Sequence, residues 1–126
     1  MISCLCVGAG GCLGAMARYL MSLILYTGNF PLITMSINFI GAVAIGAVLQ
    51  ASEKVIPSQN LVLFLSTGVC GGFTTFSTFS AETFDLFSHK SYLSGSVYAV
   101  GSVVVCLLGV YLGKILCASL IKGVVG

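Results

Sequence analysis

Ten consecutive residues, Gly71-Gly72-Phe73-Thr74-Thr75-Phe76-Ser77-Thr78-Phe79-Ser80, bring together a glycine pair, three phenylalanines and five hydroxyls. They fall inside a stretch that begins at Leu61 and stays uncharged through Ala81, where a lipid-facing helix would be mostly aliphatic. In hydrocarbon, each backbone group released by a helix break costs several kcal/mol unless something satisfies it. Such breaks are tolerated where they are buried in protein or line a polar cavity, and they mark ion and substrate sites. Phe76 and Phe79 are three apart and share a face if the segment is locally helical. Their ring edges carry partial positive charge, so an anion can rest against them in a dry site. Thr75, Ser77 and Thr78, interleaved with the rings, argue against pure packing. The Gly71-Gly72 pair can unwind the helix and free carbonyls, including those of Gly71 and Thr74. Carbonyls of one chain are too few to hold a desolvated cation. Two such breaks meeting on a two-fold axis would supply four.

Other polar groups sit at membrane depth, where they are expensive and usually functional. Asn38 is the only amide in the middle of its span; it is either an interhelical hydrogen bond or a donor on an ion path. Tyr98, Ser102 and Cys106 follow at i, i+4 and i+8, along one helical face, and offer two hydroxyls and a thiol to a small anion. Ser102 alone is equally well explained by a bond to the carbonyl one turn back. Arg18 has no acidic partner in the first, second or fourth span. It either snorkels to the interface or stands in an aqueous vestibule, where it raises the local anion concentration. Glu82, one turn past Phe79, is placed to pair with Arg18 or to line a pore exit.

The elements that must hold these groups follow from composition. The chain has 126 residues, 58% hydrophobic and 6% charged, with mean hydropathy +1.14. A soluble domain is about a quarter charged, so the class is all-α integral membrane. A single domain, 1–126, is expected, with four spans at about 2–26, 31–50, 61–87 and 92–121, the third broken in mid-membrane. Pro31 and Pro57 fall at span edges, where proline does least harm. A secretory signal is not expected, because the first segment is long and contains Arg18. A net charge of +2 suggests no nucleic-acid partner. The six cysteines lie in apolar segments without Cys-x-x-Cys spacing, and the single histidine, His89, is in a loop; metal-ligand spacing is not met.

Four spans place Lys54, Lys114 and Lys122 on one side and Lys90, with Arg18 within reach, on the other. This Lys/Arg bias is slight against the one that normally orients a membrane protein. A chain with so little bias could insert both ways and pair with an inverted copy, giving two chains the geometry larger transporters build within one. Gly10 and Gly14, Gly109 and Gly113, and the Asn38, Ala42, Gly46 stripe mark faces where helices approach closely. Four short helices are poorly suited to enclosing a pore alone, which favours an oligomer.

Taken together, Gly10-Gly11 through Gly14 to Arg18, Asn38-Phe39-Ile40-Gly41, and Gly-Gly-Phe-Thr-Thr-Phe-Ser-Thr-Phe-Ser at 71–80 resemble the Fluc (CrcB-type) fluoride channels over nearly the whole chain. The resemblance implies an antiparallel, dual-topology homodimer in the bacterial inner membrane, with two fluoride pathways. It implies a structural sodium ion held by the Gly71 and Thr74 carbonyls of both chains. Phe76 and Phe79 would contact fluoride, Asn38 would be a pore-lining donor, and Tyr98 with Ser102 would form a polar track. Arg18 would serve a vestibule and Glu82 the pore mouth. Cys106 stands where a further hydroxyl is expected, and a thiol is a weaker donor.

Three other classes fit less well. A small multidrug-resistance-type proton-coupled exporter has a similar four-span build, but exporters of that kind resemble one another in a glutamate in span one, where this chain has Arg18. A structural subunit of a larger complex would explain the glycine stripes but not the residues at 71–80. An enzyme is not expected, since no nucleophile and base are paired within the spans.

Overall fold

The computed structural model describes residues 1–23, 28 and 30–125, and every regular element among them is helical. Four helical stretches are long and apolar enough to cross a membrane: Ile2–Ser22, Leu32–Lys54, Gln59–Ser88 and Tyr92–Gly123. The protein is a multi-pass, all-helical membrane protein. The expected end of the first span, 24–26, and Thr27 and Asn29 of the connection after it lie outside the described residues.

Helix α1 (Ile2–Ser22) has 21 residues, about 31 Å at 1.5 Å per residue. Helix α2 (Leu32–Lys54) starts directly after Pro31, whose missing N–H would be unpaired there in any case. It runs four residues past the expected Gln50 and ends on Lys54, a cation next to the free carbonyls of the last turn. The third span is composite. Helix α3 (Gln59–Leu63) opens with the Ser58 side chain accepting the Leu61 amide at 3.4 Å. A π-helical segment, Phe64–Cys70, follows, then the single turn α4 (Gly71–Phe73). Thr74 and Thr75 are extended, with ψ of 158° and 110°. Helix α5 (Phe76–Ser88) then restarts, capped by the Thr75 hydroxyl on the Thr78 amide. A tight turn, with Lys90 at φ 59°, leads into α6 (Tyr92–Val125).

Packing divides the helices into two pairs, α2 along α6 and α1 along the π-helical segment and α4. Both seams rest on missing side chains, as close membrane-helix contacts do. A Cβ added at Gly14 would run into the Val69 carbonyl oxygen and lie 2.8 Å from the Phe73 nitrogen. One added at Gly113 would meet the Val43 carbonyl oxygen and lie 2.9 Å from the Ala47 nitrogen. The outer surface is apolar where that of a soluble domain would be polar, and the interior mixes apolar and polar side chains. Tyr98 is the largest fully buried side chain, Ile37, Ala42, Cys70, Thr34, Thr75 and Ser102 are buried with it, and Leu5, Leu20 and Val100 face outward. Lipid is the solvent for that outer surface, and the interior is where polar groups find partners.

Gly14→Ala should lower the thermal midpoint of the detergent-purified protein, because backbone atoms on the facing segment cannot move aside cheaply; the overpacking cost is about 1–3 kcal/mol. Gly11→Ala, whose new Cβ would meet nothing within 4 Å, should leave the midpoint unchanged. Equal shifts in the two variants would refute the close approach of α1 to α4.

Candidate functional site

The extended pair Thr74-Thr75 is held from three directions. Asn38 on α2 reads the backbone of Thr75 with both ends of its amide: its Oδ1 accepts the Thr75 N–H at 2.8 Å, and its Nδ2 donates to the Thr75 carbonyl at 3.1 Å. This is the pairing a neighbouring strand would give, supplied by one side chain. The Thr75 hydroxyl accepts the Thr78 amide at 3.2 Å, donates to the Thr78 hydroxyl at 2.9 Å and lies 3.3 Å from that of Ser77. Upstream, the Cys70 carbonyl accepts both the amide and the hydroxyl of Thr74, each at 3.0 Å. From α1, Arg18 Nε donates to the Gly72 carbonyl at 3.1 Å.

These bonds leave two carbonyls without their customary helical partners. The amide four residues past Gly71 is that of Thr75, which donates to Asn38. The amide four residues past Thr74 is that of Thr78, which donates to the Thr75 hydroxyl. Sequence reasoning placed the unwinding at Gly71-Gly72, but Gly71 is helical and the extended residues come three positions later. Glycine permits a break, whereas the Asn38 amide satisfies one, and the break lies where that amide reaches.

A second cluster joins three helices. Glu82 on α5 accepts from the Thr34 hydroxyl of α2 at 2.7 Å and from the Tyr98 hydroxyl of α6 at 2.6 Å. Short, charge-assisted bonds of this kind fix the carboxylate. Of the two placements open to Glu82, the pairing with Arg18 does not form; Arg18 turns to the Gly72 carbonyl instead. Tyr98 is fully buried. Its ring lies 5.6 Å from that of Phe30, edge-on, and 5.3 Å from that of Phe79; Phe79 in turn lies 5.5 Å from Phe76. Thr34 was not picked out from the sequence, and its only signal there is a hydroxyl one turn before Asn38.

A cavity of about 420 Å³ opens beside the extended pair. Asn38, Gly71, Thr74, Thr75, Phe76, Phe79, Ser102 and Cys106 all line it. Ser77, Thr78, Tyr98, Arg18 and Glu82 are not on its wall. Ser102 is buried and its hydroxyl has no hydrogen-bond partner, so the bond to a carbonyl one turn back does not form. Among the described residues no three acidic, histidine or cysteine side chains are grouped to hold a metal. The wall is mostly apolar, with an amide, hydroxyls, a thiol and two phenylalanine rings among its groups and no charged side chain.

An open, largely apolar cavity with a few uncharged polar groups, beside an interrupted span in a bundle with lipid-facing flanks, fits a membrane transport protein. The family model described as CrcB-like protein, Camphor Resistance (CrcB), matches residues 5–114, and the chain belongs to that family. It is 44% identical over 124 residues to the fluoride-specific ion channel FluC of Ruminiclostridium cellulolyticum, covering 95% of each chain. It is 43% identical to the protein of that name from Pelobacter propionicus, covering 97% of this chain and 94% of the other. For the one from Phocaeicola vulgatus the identity is 40%, covering 90% and 96%.

Asn38→Leu should destabilise the protein more than Thr75→Val. The first strands a backbone donor and acceptor in hydrocarbon, at about 1–3 kcal/mol for each group; the second removes a helix cap worth about 1 kcal/mol. Thermal unfolding in detergent measures both, and the reverse ranking would show that Asn38 does not hold the extended pair.

Proposed function

We propose that the chain is a fluoride-selective channel that lets fluoride leave the cell passively. The observation that carries this reading is the cavity beside Thr74-Thr75, a largely apolar wall whose few polar groups are uncharged: an amide, hydroxyls and a thiol, with the rings of Phe76 and Phe79 beside them. Fluoride is small and strongly hydrated, so its passage needs donors that replace water step by step. Conduction also requires binding strong enough to enter and weak enough to leave. Hydroxyls and the positive edges of Phe76 and Phe79 meet both demands, where a lysine or arginine on the wall would trap the ion. Fluoride enters a cell as the neutral weak acid HF and accumulates in a more alkaline interior, so passive efflux relieves the load.

The working unit in this reading is an antiparallel homodimer. Phe76 is 78% exposed on a single chain and Gly71 beside it is also exposed. Interrupted backbone facing lipid is costly, so a second copy is the economical cover for this face. The slight Lys/Arg asymmetry allows that copy to be inverted. A sodium ion at the centre of the pair fits the donors present. The Gly71 and Thr74 carbonyls are hard oxygens whose customary amide partners are engaged elsewhere, and hard monovalent cations take such ligands. Bound there, the ion would tie two chains together; Arg18 and Asn38 hold the surrounding backbone in shape. Arg18 and Glu82, off the cavity wall, would serve the entrances.

Fluoride efflux from liposomes containing the purified protein tests the channel reading. Fluoride release without chloride release is expected, and Phe76→Ile should slow it by about tenfold or more, equivalent to ~1.4 kcal/mol. No fluoride release from well-folded protein would overturn the reading. Sodium has its own readout. Replacing it with a large organic cation should lower the thermal midpoint, since a ligand at one hundred times its Kd stabilises by about 2.7 kcal/mol; an unchanged midpoint would remove sodium from the proposal.

A further inference from the structure

We propose that the end of the bundle carrying Lys54, Lys114 and Lys122 binds the phosphate headgroup of an anionic phospholipid. The proposal goes beyond the fluoride reading and does not rest on it. Its first support is where the charge lies. The three lysines less Glu53 account for the whole net charge of +2, because Arg18 and Lys90 balance Glu82 and Asp85 elsewhere in the chain. Among the described residues, no carboxylate pairs with any of the three lysines.

Height in the membrane is the second support. Tyr92 and Tyr111 are both exposed on α6 and stand nineteen residues apart, about 28 Å at 1.5 Å per residue. A hydrocarbon core is about 30 Å thick, and exposed tyrosines favour its two interfaces. Helix α6 runs on past Tyr111 to Val125, which brings Lys114 to the headgroup layer. Leu116 and Leu120 are exposed beyond it, and apolar side chains so placed keep this stretch against lipid rather than in open water.

The third support is convergence. Tyr111, Lys114, Ala118 and Lys122 follow at i, i+3, i+7 and i+11 and share one face of α6. Ala118 leaves room between the two lysines. Helices α2 and α6 run side by side in the same direction, with Gly109 against Ala42 and Gly113 against Ala47. Lys54 lies two turns past Ala47 on the same face of α2, level with the stretch from Ala118 to Lys122. Helical side chains lean toward the N-terminus, so at these C-terminal ends the long lysines reach back toward the membrane. A phosphodiester without a cation of its own matches them in charge, whereas phosphatidylcholine cancels its charge internally. A headgroup held from both helices would tie the ends of α2 and α6 across their seam. An inverted second copy would present the same end to the opposite leaflet.

The test is native mass spectrometry of the purified full-length protein in neutral detergent, offered equal amounts of phosphatidylglycerol and phosphatidylcholine. Preferential retention of phosphatidylglycerol is expected, falling by up to about fivefold for each of Lys54→Gln, Lys114→Gln and Lys122→Gln. The triple variant should bind both lipids alike, and Lys90→Gln, at the opposite end of α6, should keep the preference. Gel filtration reports the fold, and the single variants carry the test if the triple variant does not fold. Equal retention of the two lipids by the unaltered protein, an undiminished preference in the lysine variants, or an equal loss with Lys90→Gln would each overturn the proposal. So would a thermal midpoint raised by inorganic phosphate and not by phosphatidylglycerol, since the ligand would then be a free anion.

Discussion

Two residues of extended backbone in the middle of a membrane span are tenable because one asparagine stands in for the missing strand. Water cannot satisfy a peptide group at that depth, and the groups freed at a break must find protein partners. Asn38 supplies both for Thr75, a donor and an acceptor on a single planar group. Once Thr75 is fixed, its hydroxyl caps α5, and α5 in turn sets the positions of Phe76, Phe79 and Glu82. The rings, the carboxylate and the cavity beside the break all inherit their places from that amide.

The polar residues of the interior divide by what they touch. Asn38, Arg18 and the Thr74 hydroxyl are spent on backbone, and Thr34 and Tyr98 on the Glu82 carboxylate. Asn38 also lines the cavity, but both ends of its amide are already engaged with Thr75. Ser102, whose buried hydroxyl has no partner, and Cys106 are the polar side chains of the wall left uncommitted, beside the rings of Phe76 and Phe79. Arg18 and Glu82 thus stand off the cavity wall, bonded to the backbone and hydroxyls around it.

Much of this could be read from residue types. Four apolar runs located the spans, and the glycine stripes located close contacts, because a missing Cβ acts locally on whichever helix comes near. The third span was harder. Gly71-Gly72 drew the expected break to itself, but glycine only lowers the cost of leaving the helix. The deciding partner is 37 residues away in sequence, and a single chain of letters does not show that Asn38 and Thr75 meet. The same holds for Thr34, Glu82 and Tyr98, which lie on three helices. Arg18 was legible as an unpaired cation, yet its partner is a carbonyl, and every residue has one of those. The π-helical turns before Gly71 leave no mark in composition at all.

Those π-helical turns make the third span a counted length. Hydrogen bonds that skip five residues instead of four accommodate an extra residue within the helix, with local widening. Upstream, the span is seated against Gly10 and Gly14; downstream, it is pinned at Thr75. Adding or removing a residue that this local widening does not absorb would turn everything beyond it by about 100° relative to α1. Phe76, Gly71 and the Thr75 backbone would then point away from α2 and the cavity. The spacing between the glycine seam and the asparagine is therefore a constraint in its own right, set by the number of residues in this segment as well as by their kind.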